Sequence, residues 1–249
     1  MMKFLTAKLP WFSLTIFFFI VMSNGGNAES LTLDIGNAEG SYSGRLIQLF
    51  LAFTVLSVAP SLVIMATSFT RMAIVLSFLR TSIGLQQSPP NMVIMSLAMF
   101  LTMFVMAPTF EKAYEEGIAP LVAEKISEEQ AIHKAIEPFK EFMLRNVREK
   151  DLGLFLDLSK IETLEKPSDT PLKVLVPAFM ISELKRSFEI GFLIFIPFLI
   201  IDLVVAAVLM SMGMMMLPPV MISLPFKIIF FVLIDGWRLL SGSLVNSFS

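Results

Sequence analysis

Between Glu111 and Arg186 the chain carries 27 of its 40 charged residues, and outside that third it reads as apolar runs broken by single charges. No other feature constrains the fold as much. Leu46–Ala66 gives 21 residues without a charge and Met92–Pro108 gives 17. Ile190–Leu217 holds one charge, Asp202, and Val220–Ile234 holds Lys227, with Asp235 and Arg238 directly after it. A soluble domain is roughly 25% charged, whereas this one is 16% charged and 55% hydrophobic. A water-soluble single-core domain is therefore excluded. The pattern predicts an all-α membrane protein of helical hairpins with a small polar helical insert domain. Without cysteine, disulfides, thiolate metal sites and a cysteine nucleophile are excluded. A net charge of −2 leaves no basic footprint for nucleic acid.

The chain opens with Lys3 and Lys8 ahead of a short apolar run, Trp11–Met22, and then Ser23-Asn24-Gly25-Gly26-Asn27-Ala28. Gly26 and Ala28 are the small residues at −3 and −1 of a cut before Glu29, so residues 1–28 read as a cleaved secretory signal peptide. The competing reading is an uncleaved first membrane helix. Cleavage sets Glu29 outside the cytoplasm. A short polar leader (29–42), a first hydrophobic helical half (43–108), a polar helical domain on the outer face (109–187) and a second hydrophobic half (188–249) follow. From an outside start the first run enters and the second returns. Arg71 and Arg80 then fall in the cytoplasmic turn, as the positive-inside rule expects.

Within the polar domain, Ser127-Glu128-Glu129-Gln130 has the capping-box pattern. Ile132, Ala135, Ile136, Phe139, Phe142, Met143 and Val147 recur behind it at helical spacing, with Pro138 expected to bend the element. Asp151 is expected to cap a second helix over Leu152–Leu158.

Catalytic motifs are missing: there is no Walker A loop, HExxH, Gly-x-Ser-x-Gly or dinucleotide fingerprint. His133 sits among charged neighbours and reads as a surface histidine, and Glu115-Glu116 and Glu128-Glu129 read as solvated helix faces. An enzyme is not expected, and no cofactor is implied. Five of the 18 methionines, Met210, Met212, Met214, Met215 and Met216, fall within seven positions. Gly213, Pro218 and Pro219 break helix there, which puts the thioethers on a hairpin tip. Copied around a ring, such a tip could close on a passing chain while excluding hydrated ions. On composition alone, ordinary apolar filler at a helix end is the favoured reading.

The isolated charges Arg71, Asp202, Lys227 and Asp235 are candidate functional groups because an ionisable side chain in an apolar span is costly. For Asp235 the structural alternative is a pair with Arg238 along one helix. Asp202 and Lys227 are equidistant from the Met214–Met215 bond. In an antiparallel hairpin they lie at similar depth, about 18 Å behind the tip at 1.5 Å per residue. Mutual pairing is the expected outcome.

Several of these stretches occur together in a known family. They are Thr67-Ser68-Phe69-Thr70-Arg71, Ile74-Val75-Leu76-Ser77, Phe100-Leu101-Thr102, Phe142-Met143-Leu144-Arg145, Pro177-Ala178-Phe179 and Ile181-Ser182-Glu183-Leu184. Pro197-Phe198-Leu199-Ile200-Ile201-Asp202, the methionine tip with Pro218-Pro219, Ile222-Ser223-Leu224-Pro225-Phe226-Lys227 and Val232-Leu233-Ile234-Asp235-Gly236-Trp237 complete the set. From about residue 45 onward the chain resembles the FliP/SctR family of type III export gates. Ala66 stands where the family more often has Met.

The resemblance implies a non-catalytic gate in the bacterial inner membrane, at the flagellar basal body, that passes unfolded flagellar subunits. It implies a homo-oligomer assembled with FliQ and FliR as a cone of hairpins largely above the membrane plane. FlhB, FlhA and FliO are the implied neighbours, and the polar domain would be periplasmic. Met210–Met216 would be the constriction, and the energy for export would come from other components, including an ATPase and the proton-motive force. The equivalent subunit of a virulence injectisome shares the core motifs, but the leader and the sizeable insert resemble the flagellar branch more closely. A secondary transporter with broken helices would show inverted repeats, and the two hydrophobic halves show none.

Overall fold

The computed structural model describes residues 42–85, 87–161, 166–214 and 217–248. The signal-peptide segment, all of the leader but its last residue, and Met215 and Met216 lie outside the described residues. The chain divides into two units, Met1–Phe53 and Thr54–Ser249. What is described of the first is the opening of helix α1 (Tyr42–Met65).

Helices α2 (Phe69–Ile83), α3 (Asn91–Ala113), α4 (Glu128–Asn146), α5 (Glu149–Leu158), α6 (Leu172–Ser211), α7 (Pro219–Leu233) and α8 (Gly236–Asn246) follow. Among the described residues all regular structure is helical. The protein is all-α. α3 runs on through a π turn (Tyr114–Ile118) and a single α turn (Ala119–Val122). That 32-residue run and the 40-residue α6 are each long and apolar enough to cross a membrane. At 1.5 Å per residue α6 is about 60 Å long, twice a hydrocarbon core of about 30 Å. At most half of it can sit in lipid. Its charges divide the same way: Lys173, Glu183, Lys185, Arg186 and Glu189 precede Ile190, and Asp202 stands alone beyond it. The helix continues unbroken past residue 187, although Pro177 and Pro197 lie inside it.

The core is a seam between α2 and α6. The buried face of α6 steps through Leu175, Phe179, Ser182, Glu183, Ser187 and Gly191, a helical stripe narrow enough for close approach. Gly191 lies so near the ring of Phe78 that a Cβ there would come within 2.7 Å of it. Met72, Val75, Leu76 and Leu79 of α2 pack with Ile94 and Ala98 of α3, Phe198, Phe231, Leu240 and Leu244. A second cluster, Met106, Phe142, Met143, Leu175 and Phe179, attaches the polar helices.

In the polar segment the capping box is present: Ser127 Oγ accepts from the Gln130 amide and Gln130 Oε1 accepts from the Ser127 amide. Phe142 and Met143 are buried, but Ile132 at the other end of the stripe is 59% exposed. His133 is exposed.

The expected cap at Asp151 is corrected. α5 begins at Glu149 after Arg148, and Asp151 is its third residue. The helix starts early because the Arg148 amide donates to Ser182 Oγ of α6 at 3.0 Å, which fixes the backbone there. The Asp151 carboxylate accepts from Ser182 Oγ at 2.6 Å and from Arg148 Nε and Nη2 at 2.8 Å. Burial alone would raise this carboxyl. The Ser182 hydroxyl and the Arg148 guanidinium outweigh burial and hold it below the ordinary carboxylate range.

A depressed acid contributes stability that is complete above its unfolded value, about 3.9, and lost as pH falls through the folded value. The α5–α6 contact should therefore hold from neutrality to about pH 4 and loosen below it. Asp151→Asn should remove that acid limb and cost about 1–2 kcal/mol at neutral pH. Hydrogen exchange of the α5 amides across pH checks both.

The in-and-return path is also corrected. Arg71, expected in a cytoplasmic turn, bonds Glu183, which lies in the segment expected on the outer face. Groups in contact cannot stand on opposite sides of a lipid layer about 30 Å thick. The start of α2 therefore lies level with the polar helices.

Candidate functional site

α6 and α7 form a hairpin, and local chemistry explains its tip. Gly213 adopts φ +73°, a left-handed conformation that costs glycine nothing. The Met214 amide bonds the Leu209 carbonyl at 3.0 Å and the Gly213 amide bonds the Met210 carbonyl at 3.1 Å, the closing pattern of a Schellman motif. Pro218 and Pro219 then open α7, where a missing N–H is harmless. Met210, Met212 and Met214 are exposed at this end. Met215 and Met216 lie outside the described residues.

Behind the tip, Lys227 Nζ stands 2.6 Å from Asp202 Oδ2. Ser223, one turn before Lys227 on α7, donates to the other carboxylate oxygen at 2.5 Å. Lys227 also donates to the Ser82 carbonyl at 3.3 Å. That carbonyl is in the last turn of α2, where unpaired carbonyls carry partial negative charge. The pair is unequally covered: the lysine side chain is 5% exposed and the aspartate 27%. One ammonium therefore joins three helices.

Arg71 forms a second buried node, with Nε 2.9 Å from Glu183 Oε2 and Nη2 2.5 Å from Oε1. This bidentate fork is the strong geometry for an arginine–carboxylate pair. Nη1 turns the other way, to the Ser247 carbonyl and hydroxyl, both at 2.9 Å. Asp235 behaves differently. Its carboxylate is 65% exposed and 3.9 Å from Arg238, which is 87% exposed. A pair so open adds little stability.

Sequence reasoning missed Glu183, Ser223 and Ser247. Signals existed for two of them. Arg71 is the one charge between Arg45 and Arg80, so it lacked a local partner and called for a distant carboxylate such as Glu183. Ser223 lies four residues before Lys227, on the same helix face. Among the described residues no group of His, Cys, Asp and Glu could hold a metal ion. The chemistry here is ion pairing behind a set of exposed thioethers.

These features define a helical membrane protein of the hairpin type, with a lysine–aspartate pair behind a methionine-bearing tip and a buried arginine–glutamate pair far from it. The FliP family model matches residues 52–244, and the chain belongs to the FliP family. It is 59% identical over 229 residues to the flagellar biosynthetic protein FliP of Caulobacter vibrioides, covering 92% of this chain and 86% of that one. It is 53% identical over 241 residues to the FliP of Rhizobium meliloti (95% and 98% covered). With the FliP of Bacillus subtilis the identity is 59% over 202 residues (81% and 91% covered).

Proposed function

We propose that this chain is a core subunit of the flagellar type III export gate in the bacterial inner membrane. Several copies assemble with FliQ and FliR around the path of unfolded flagellar subunits. FlhB, FlhA and FliO are its further partners. The observation that carries this reading is the hairpin, with exposed methionines at its tip and a lysine–aspartate pair behind them. In a ring, the thioethers converge on the axis, where an apolar constriction dewets and opposes ions. Their flexible side chains reshape around varied cargo. The rigid pair fixes the tip's depth.

In this reading the segment 109–187 faces the periplasm, reached behind the cleaved leader. The hairpins stand largely on one side of the bilayer. The Arg71–Glu183 contact supports this arrangement, because it draws the hydrophobic and polar segments to one level.

Extraction in mild detergent, followed by native mass measurement, tests the proposal. The expected species holds several copies of this chain with FliQ and FliR. A lone monomer with a bound small solute would instead point to a transporter.

A further inference from the structure

The bend between α7 and α8 is strained. Asp235 joins them at φ 53° and ψ 50°, a left-handed conformation disfavoured for a residue with a Cβ. The axes diverge there by 63°. Nothing covalent demands the bend, since no proline lies between Phe226 and Asn246. A straight helix from Pro219 to Asn246 would be about 42 Å long, enough to cross a hydrocarbon layer of about 30 Å. The bent form instead presses Gly236 against the Phe231 ring, where a Cβ would come within 2.2 Å of it.

Two sets of contacts hold α8 back. Leu240 and Leu244 lie in the main core. At the far end, Arg71 Nη1 binds the Ser247 carbonyl and hydroxyl, and its guanidinium carbon lies 3.6 Å from the centre of the Phe248 ring. Phe248 stacks in turn on Phe142 of α4, centroids 5.7 Å apart. Glu183 orients the arginine from the opposite side. A cation at a helix C-terminus also meets the negative end of the helix dipole. One side chain thus ties the end of α8 to α2 and α6 and, through Phe248, to α4.

We propose that α8 is a latch. Arg71 closes it through Ser247 and Phe248, working against an elbow at Asp235 whose relaxed alternative is a continuous α7–α8 helix. The latch goes beyond the export-gate reading and does not depend on it.

Because the chain has no cysteine, a single introduced thiol reports on α8. The experiment uses Leu244→Cys in the full-length protein in native membranes, read by the rate of maleimide labelling. Asp235→Ala favours the straight helix, because alanine tolerates the left-handed elbow less well. It should speed labelling about tenfold. Asp235→Gly relieves the strain within the bend and should leave labelling unchanged or slower. Arg71→Gln should speed it through the other end of the latch. Leu76→Cys, buried between α2 and its neighbours, reports on the rest of the fold and should stay protected in Asp235→Ala. Equal rates in Asp235→Ala and Asp235→Gly overturn the latch, and so does an Arg71→Gln rate no faster than that of the unaltered chain. So does a matching rise at position 76 in Asp235→Ala, since that is general loosening.

Discussion

Asp202→Asn should strip most of the assembled protein from the membrane, and Lys227→Met should do so less severely. Either change leaves the other charge unpaired, which in a buried site costs about 3–5 kcal/mol. The asymmetry follows from the burial of each partner. With asparagine at 202, an ammonium whose side chain is 5% exposed loses its counter-charge and keeps only neutral acceptors, the amide oxygen and the Ser82 carbonyl. Without Lys227, the carboxylate keeps the Ser223 hydroxyl and, at 27% exposure, some access to water.

The double variant Asp202→Asn with Lys227→Met should regain much of what Asp202→Asn loses, because neither charge is then stranded. The swap Asp202→Lys with Lys227→Asp should regain less. Equal depth on the hairpin favours it, but position 227 faces the negative end of α2, where a carboxylate is repelled. Quantitative blotting of the complex after detergent extraction, together with motility, gives the ranking. Normal assembly in all four variants would leave the pair without a role.

Deleting Met214–Met216, or replacing them with Gly, should raise ion leakage through the assembled gate several-fold. An apolar constriction resists ions because they must shed water to enter it, and loss of the thioethers widens and wets the passage. Replacement by Leu should leak less yet export worse, since a branched side chain adapts less to a changing cargo. Membrane conductance, read beside secretion of flagellar subunits, separates the two effects. Unchanged conductance with normal assembly would make the tip apolar filler.

What could be read along the chain was what obeys local rules. The apolar runs, the capping box at Ser127 and the break at Gly213-Pro218-Pro219 depend on neighbours within a few residues. The Asp202–Lys227 contact belongs with them, although 25 residues separate the pair. A tight turn and a fixed rise per residue bring equidistant positions together whatever the rest of the fold does.

Arg71 and Glu183 are 112 residues apart, and Arg71 and Ser247 are 176 apart. No periodicity relates them, and hydropathy set the first two on opposite sides of a membrane. Only the packing of α2 along α6, through Leu175, Phe179, Ser182 and Gly191, sets them at one level. Asp151 moved from cap to buried acid for the same reason, because its position depends on Ser182 of another helix. At Asp235 the residues permit either a bend or a continuous helix. The choice lies with what α8 buries against α2 and α3, since differences in backbone preference are smaller than the burial of Leu240 and Leu244.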